Sequence, residues 1–234
     1  MNLTKCLIGA FVATLALSSF ASSSGQDRAH DPYFKIKNVK IEEIPQVENF
    51  NKADFNPSMI MSGGQVGEVI AVADQIIAFG ERVYAIVKKG QPVVNINWAP
   101  VSVLPKEAGK SIDAMDLDNW SYPKSRKYKV TYTNGFNMNV VEFTYSVNFS
   151  YGGSYNGKGR YITGAQIVPE YVSVAWGYTF DASMKVVSII NRGSKANPVA
   201  GATLQLSYNV STILQDDRNN INYFIQGDGQ VGQL

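Results

Sequence analysis

The run from Val141 to Tyr151 alternates strictly between large apolar and polar side chains. Valine, phenylalanine or tyrosine occupies each odd position, and the even positions carry Glu142, Thr144, Ser146, Asn148 and Ser150. Side chains on a β-strand point alternately to opposite faces, so this run predicts a strand with one apolar face packed on a core. The other face is predicted to be polar while carrying a single charge.

Similar alternation recurs along much of the chain. The other segments predicted as strands are 34–44, 92–98, 128–133, 171–180, 184–190, 203–210 and 221–225. A phase slip near Asn38 predicts a β-bulge in the first of these. The Asn134-Gly135 pair predicts a tight hairpin turn. The glycine-rich segment 152–159 is predicted to be a connection between strands, and the polar segment 215–220 to be a loop.

The segment 66–89 follows a different period. Charged or amide side chains recur about every seven residues, at Glu68, at Asp74 and Gln75, at Glu81 and Arg82, and at Lys88 and Lys89. This spacing would keep them on one narrow stripe of an α-helix, with acids early and bases late as the helix dipole favours. Gly90 and Pro92 supply a stop signal. We therefore expect one long, largely buried helix over 66–89, with a coiled coil as the less favoured alternative.

Together these elements predict a mainly β protein. We expect an antiparallel β-sandwich, or an open barrel, of about eight strands with one long helix packed on a sheet. A single β-rich domain is expected over 34–234, preceded by a flexible lead over 22–33.

The N-terminus predicts export. One lysine precedes the apolar run Leu7–Leu17, and small residues follow at Ser19 and Ala21, so 1–21 is expected to be a signal peptide cleaved after Ala21. The protein would then be periplasmic, cell-surface or secreted. Cys6 is the one cysteine of the chain, so the cleaved protein would contain no disulfide and no thiolate.

Composition argues against several functional classes. A net charge of +2 does not suggest a nucleic-acid binder, and no later segment has the length and hydropathy of a transmembrane helix. The one histidine, His30, lies in the predicted lead, so histidine triads and zinc sites are not expected. Asp113, Asp116 and Asp118 do not match the spacing of a calcium loop, so a solvated acidic loop is favoured. We assign no catalytic residue, cofactor or metal.

The uncharged polar face is the first candidate site. Its predicted members come from three segments, 142–150, 173–179 and 203–211, and we expect contact through Thr144, Ser146 and Asn148. Exposed sheets usually carry more charge, so this face is expected to meet something other than water. Four alternatives are left open for what contacts this face: another part of the same chain, a second copy in a homo-oligomer, a glycan, or the water of a pore lumen.

The segment 119–130 is the second candidate. It places aromatic rings beside a cluster of cations, with Trp120, Tyr122, Lys124, Arg126 and Lys127 as expected ligand-binding residues. Such a combination suits a polysaccharide or another anionic surface. The alternative is that the cations are solvated and the aromatic rings anchor the core.

The sequence thus predicts an exported, non-enzymatic protein that binds or assembles at a cell surface or in an extracellular matrix, as a glycan-binding, adhesive or structural component. The first alternative is a β-pore-forming or membrane-damaging toxin. The second is an enzyme acting on envelope polysaccharide, which would need two converging carboxylates.

Overall fold

The computed structural model describes residues 31–46, 69–72, 75–93, 99–108 and 110–234. These residues form fourteen strands: β1 (Ile36–Ile44), β2 (Val69–Val72), β3 (Ile76–Phe79), β4 (Val83–Lys88), β5 (Gln91–Pro92), β6 (Val101–Glu107), β7 (Lys110–Ser111), β8 (Lys124–Asn134), β9 (Asn139–Tyr155), β10 (Lys158–Val174), β11 (Thr179–Asn191), β12 (Ala200–Ser211), β13 (Asp216–Gln226) and β14 (Val231–Gln233). Two short 3-10 helices, Pro32–Phe34 and Ala114–Asp116, complete the described elements.

The strands form two antiparallel sheets. Sheet A has the order β1-β8-β9-β10-β6-β3-β2, with β7 paired to β6. Sheet B has the order β14-β13-β12-β11-β4-β5. The prediction of a mainly β protein with antiparallel sheets is therefore confirmed, although the described strands outnumber the eight expected.

The core lies where the two sheets face each other. Phe143, Tyr145 and Val147 of β9 are fully buried there, as their alternation predicts. The hydroxyls of Tyr145 in sheet A and Tyr223 in sheet B lie 2.6 Å apart, and the rings of Phe143 and Phe180 are 5.0 Å apart. Aromatic side chains from both sheets thus join the layers.

The prediction of a long helix over 66–89 is wrong. The described residues of that segment form β2, β3 and β4, and no α-helix occurs anywhere in the described ranges. Glu81 and Arg82 lie in the connection between β3 and β4, and Lys89 lies in the turn after β4. Short strands and their polar connections here repeat about every seven residues, which produces the spacing that suggested a helix.

Three strand boundaries also differ from the predictions. The segment 171–180 contains the end of β10, a turn at 175–178 and the start of β11. Within 152–159, β9 continues to Tyr155, and only Asn156 and Gly157 form the turn, both with positive φ as a type I′ hairpin requires. The polar segment 216–220, expected to be a loop, is the first half of β13.

Two local predictions are confirmed. The pairing of β1 with β8 shifts register between Ile36 and Asn38, at the expected bulge. Strands β8 and β9 form a hairpin around Asn134-Gly135. The predicted signal peptide, the predicted lead as far as His30 and most of the predicted strand 92–98 lie outside the described residues.

Candidate functional site

The structure places Trp120 against the core. Its indole nitrogen donates a 3.0 Å hydrogen bond to the carbonyl oxygen of Ala114. Its ring covers Gly153 of β9, where a Cβ atom would lie 2.5 Å from the ring. The ring is partly buried, as is Tyr122, so this part of the predicted ligand site resembles the alternative in which aromatic residues anchor the core.

The three predicted cations do not form one open cluster. The Lys124 ammonium donates to the Gly229 carbonyl oxygen at 2.8 Å and lies 5.7 Å from the ring centroid of Tyr151. Arg126 pairs with Glu43 at 2.7 Å. Lys127 is the next residue of β8 and therefore points to the other face of the sheet, where it pairs with Glu170 at 2.6 Å. Each cation already has a partner within the chain.

The predicted contact residues Thr144, Ser146 and Asn148 lie on the outer face of sheet A. Ser146 is only 3% exposed, and it accepts a 3.0 Å hydrogen bond from the Asn148 amide. Strand β9 lies between β8 and β10, so the ion pair of Lys127 with Glu170 must cross it, and Lys127 is directly opposite Ser146. The middle of this face is therefore closed by the protein's own side chains, whereas Thr144 stays partly exposed.

The predicted uncharged face is not one surface. Strand β9 belongs to sheet A, and β12 belongs to sheet B. Because the two sheets share one core, the outer faces of these strands lie on opposite sides of the molecule. The sequence grouped residues that share a pattern but not a location.

An open polar surface is present on the outer face of sheet B. We name it the amide–hydroxyl face, and it consists of Ser183 on β11, Gln205, Ser207 and Asn209 on β12, and Asn220 and Asn222 on β13. Strand register places Ser207 between Ser183 and Asn220, and Gln205 beside Asn222, whose amide oxygen accepts a 3.0 Å hydrogen bond. All but Asn220, which is exposed, are partly exposed.

Sequence reasoning missed the contribution of β13 to this face. The polar residues before Ile221 were assigned to a loop. The usable signal was alternation, because Ile221, Tyr223 and Ile225 are buried while Asn220 and Asn222 are not.

A groove of about 460 Å³ crosses sheet B from β4 to β13, and four residues of the amide–hydroxyl face line it: Ser183, Ser207, Asn209 and Asn220. Its charged borders are Lys88, Asp181 and Arg218, and two of them are engaged: Asp181 accepts the backbone N–H of Lys89 at 2.8 Å, and Arg218 pairs with Asp216 at 2.7 Å. The side-chain oxygen of Asn209, which also lines the groove, is buried and accepts no hydrogen bond from any described residue. Buried polar atoms normally have partners, and rotation of the Asn209 side chain toward the groove would expose this oxygen to a hydrogen-bond donor from outside.

Tyrosines beneath the groove are unsuited to proton transfer. Burial, followed by the charge of Asp217, raises the pKa of Tyr208 to about 12. Burial also raises the pKa values of Tyr145 and Tyr223. These hydroxyls stay protonated near neutral pH and serve as packing and hydrogen-bonding groups.

The acidic residues at 113–118 have structural roles. A carboxylate oxygen of Asp113 accepts the backbone N–H of Met115 at 2.9 Å and caps the second 3-10 helix. The backbone of Asp118 pairs with that of Ser154. Within the described ranges no three histidine, cysteine or carboxylate side chains come together as metal ligands.

Comparison with known proteins gives no match to a protein-family model, a curated protein or a solved structure. None of the described elements is a helix with the length and hydropathy needed to cross a membrane.

Proposed function

We propose that the chain is an exported, non-enzymatic protein that binds a neutral polysaccharide at a cell surface or in an extracellular matrix. The ligand would lie in the groove of the amide–hydroxyl face. The observation that carries this proposal is the buried, unpaired amide oxygen of Asn209 in a groove where two of the three charged border residues, Asp181 and Arg218, already have partners within the chain.

Sugar hydroxyls match the chemistry of this groove. They both donate and accept hydrogen bonds, and so do the Ser183 and Ser207 hydroxyls and the Asn220 amide that line it. An unpaired acceptor such as Asn209 gains more from a sugar hydroxyl than a solvated group does, because its desolvation has already been paid in folding. The groove crosses four neighbouring strands of sheet B, so a polymer in it would lie across the strands.

Titration calorimetry with neutral and charged polysaccharides tests this proposal. Asn209→Ala is expected to weaken binding of a neutral polysaccharide about tenfold, the effect of roughly 1.4 kcal/mol. Ser207→Tyr, which fills the groove, is expected to abolish binding. Thr144→Ala on the opposite sheet is the matched control and should bind as wild type does.

Two outcomes would contradict the glycan proposal. One is a wild-type protein that binds none of the polysaccharides. The other is binding that survives both groove variants, which would favour the segment around Trp120 and Lys124 as the binding site.

Export is tested separately. The exported protein is expected to begin at Ser22, which mass spectrometry of material recovered outside the cytoplasm would reveal. Recovery of the uncleaved chain, or of cytoplasmic protein alone, would contradict this part of the proposal.

A pore-forming or membrane-damaging protein is the second candidate, and the length of the β9–β10 hairpin favours it. Each strand has 17 residues, more than a tilted strand needs to cross a bilayer. Insertion would, however, remove both central strands of sheet A from a core that buries Phe143, Tyr145 and Ile167. We rank it second for that reason, and absence of dye release from vesicles at micromolar protein would eliminate it.

A further inference from the structure

Three strand connections meet at one end of the molecule: residues 135–138 after β8, 175–178 after β10 and 212–215 after β12. Each is hydrogen-bonded to the same short segment, 32–34. Gly135 N–H donates to the Pro32 carbonyl oxygen at 2.9 Å, Tyr33 hydroxyl donates to the Trp176 carbonyl oxygen at 2.9 Å, and Thr212 hydroxyl donates to the Phe34 carbonyl oxygen at 3.0 Å. The loops are therefore neighbours in space although they are distant in sequence.

Large apolar side chains lie exposed on all three loops. Phe136 is 56% exposed, Met138 53%, Trp176 78% and Ile213 61%. We call these four residues the apolar loop end. Single exposed apolar residues are ordinary, but several at the tips of adjoining loops are typical of an interaction site.

The base of the apolar loop end is ordered by buried aromatic residues. Phe34 and Tyr178 are buried, and the Tyr178 hydroxyl donates to the Tyr33 carbonyl oxygen. Gly177 passes so close to Phe34 that a Cβ atom there would lie 2.5 Å from its ring. The tryptophan is thus held exposed on a fixed backbone, which lowers the entropy lost on docking.

Exposed lysines surround the same end. Lys35 and Lys37 follow the segment that joins the loops, and Lys37 donates to the Asn137 side chain at 2.8 Å, between Phe136 and Met138. On sheet B, Lys88 and Lys89 lie in or beside the turn whose Gly90 contacts Val174, next to the Trp176 loop. Of the nearby acids, Asp31 and Asp181 each accept a backbone N–H from within the chain, and Asp216, directly after the 212–215 loop, pairs with Arg218 at 2.7 Å.

We propose that the apolar loop end docks onto the surface of a lipid bilayer that contains anionic lipids. Trp176, Phe136, Met138 and Ile213 would enter the interfacial region, and the surrounding lysines would lie among the headgroups. Separate side chains that project from loop tips suit a soft, adaptable medium, whereas a protein partner offers matching pockets. Tryptophan favours the membrane interface, and lysines beside it favour anionic headgroups. The four apolar residues lie outside the sheet B groove, although Lys88 borders both surfaces, so this docking adds a second binding surface to the proposed function.

Sedimentation of the wild-type protein with vesicles tests the proposal, using phosphatidylcholine alone and phosphatidylcholine with 30% phosphatidylserine. A Trp176→Ser/Ile213→Ser variant is expected to lose at least tenfold in partitioning to the anionic vesicles. Met115→Ser is the matched control, because Met115 is 61% exposed but lies near Asp118, at the opposite end of β9. Lys35→Gln/Lys37→Gln should reduce the preference for anionic over neutral vesicles. Thermal unfolding establishes that each variant is folded.

Tryptophan fluorescence gives a second readout. The wild-type emission should shift to shorter wavelength on vesicle addition, and Trp176→Ser should abolish that shift although Trp98 and Trp120 remain. Absence of binding to either vesicle, or equal loss in the Met115→Ser control, would overturn the proposal. So would self-association abolished by the loop variants without any vesicle binding, since the loop end would then join copies of this chain.

Discussion

The tyrosine hydroxyls in the core differ in how they are hydrogen-bonded. Tyr145 and Tyr223 share one hydrogen bond between the sheets, and Tyr132 accepts a 3.0 Å hydrogen bond from the Asn219 amide. The Tyr208 hydroxyl is buried with no hydrogen-bond partner among the described residues. Since an unpaired buried hydroxyl costs stability and a paired one contributes to it, substitution by phenylalanine should affect these positions in opposite directions.

Tyr208→Phe is expected to leave the free energy of unfolding unchanged or to raise it by about 1 kcal/mol. Tyr223→Phe removes the partner of the buried Tyr145 hydroxyl and should lower the free energy by about 1–3 kcal/mol. Urea denaturation of both variants measures the difference. A Tyr208→Phe protein less stable than Tyr223→Phe would show that the Tyr208 hydroxyl has a partner in solution.

Raised tyrosine pKa values predict sensitivity to alkali. The pKa of Tyr208 is raised to about 12, so below pH 10 it is protonated in both the folded and the unfolded chain. Above pH 10 the unfolded chain releases its proton first, and stability falls as pH rises from about 10 to 12, at up to about 1.4 kcal/mol per pH unit for each such tyrosine. Denaturation at a series of pH values checks this. Tyr208→Phe should show a shallower decline, and a flat profile up to pH 12 would contradict the assignment.

At the scale of elements, the alternation of apolar and polar residues predicted strands well. The seven-residue spacing of polar residues in 66–89 wrongly predicted a helix. The inward residues of β8, β9 and β12 are buried as their patterns require. In 66–89 the spacing came from short strands separated by polar turns, and the abundance of valine and isoleucine there was the better guide. Pairing partners could not be predicted, because strand order depends on contacts between distant segments. That is why β9 and β12 were assigned to one surface.

Two glycines of the β9–β10 hairpin give a test at this scale. Gly157 lies in the turn with φ of +71° and open space around it, so Gly157→Ala should cost about 1 kcal/mol through backbone strain alone. Gly153→Ala would press a methyl group into the Trp120 ring and should cost about 1–3 kcal/mol. Thermal unfolding measures both, and tryptophan emission should change only for Gly153→Ala. An unchanged emission in that variant would contradict the close packing of Trp120.

At the scale of the whole molecule, the outer faces of the two sheets differ in how much polar surface is open to a ligand. Ion pairs from Lys127 and Lys129 to Glu170 and Glu142 occupy the outer face of sheet A, while the groove of sheet B stays open. Residue types in the sequence predicted one polar, weakly charged surface, whereas its predicted residues on β9 and β12 lie on the outer faces of different sheets. The sequence could not predict which of these faces is closed, because the closing side chains come from neighbouring strands.

The two proposed binding surfaces should respond differently to salt. Polysaccharide binding through uncharged amides and hydroxyls is expected to change less than about twofold between 0.05 M and 0.5 M NaCl, since screening acts on charges. Binding to anionic vesicles should weaken at least fivefold over the same range, because the lysines that surround the apolar loop end act through electrostatic attraction. Calorimetry and vesicle sedimentation measure the two responses. Equal salt dependence would contradict the separation of the surfaces.

The edge strands of the two sheets influence whether copies of this protein can pair strand to strand. Among the described strands, β1 is the outermost strand on one side of sheet A, and it carries Lys37, Lys40, Glu42 and Glu43. Sheet B ends in β5, two residues that include Pro92, and in β14, three residues. Charge, proline and shortness all discourage another strand from joining. Growth of ribbons or fibrils by strand addition at β1, β5 or β14 is thereby disfavoured.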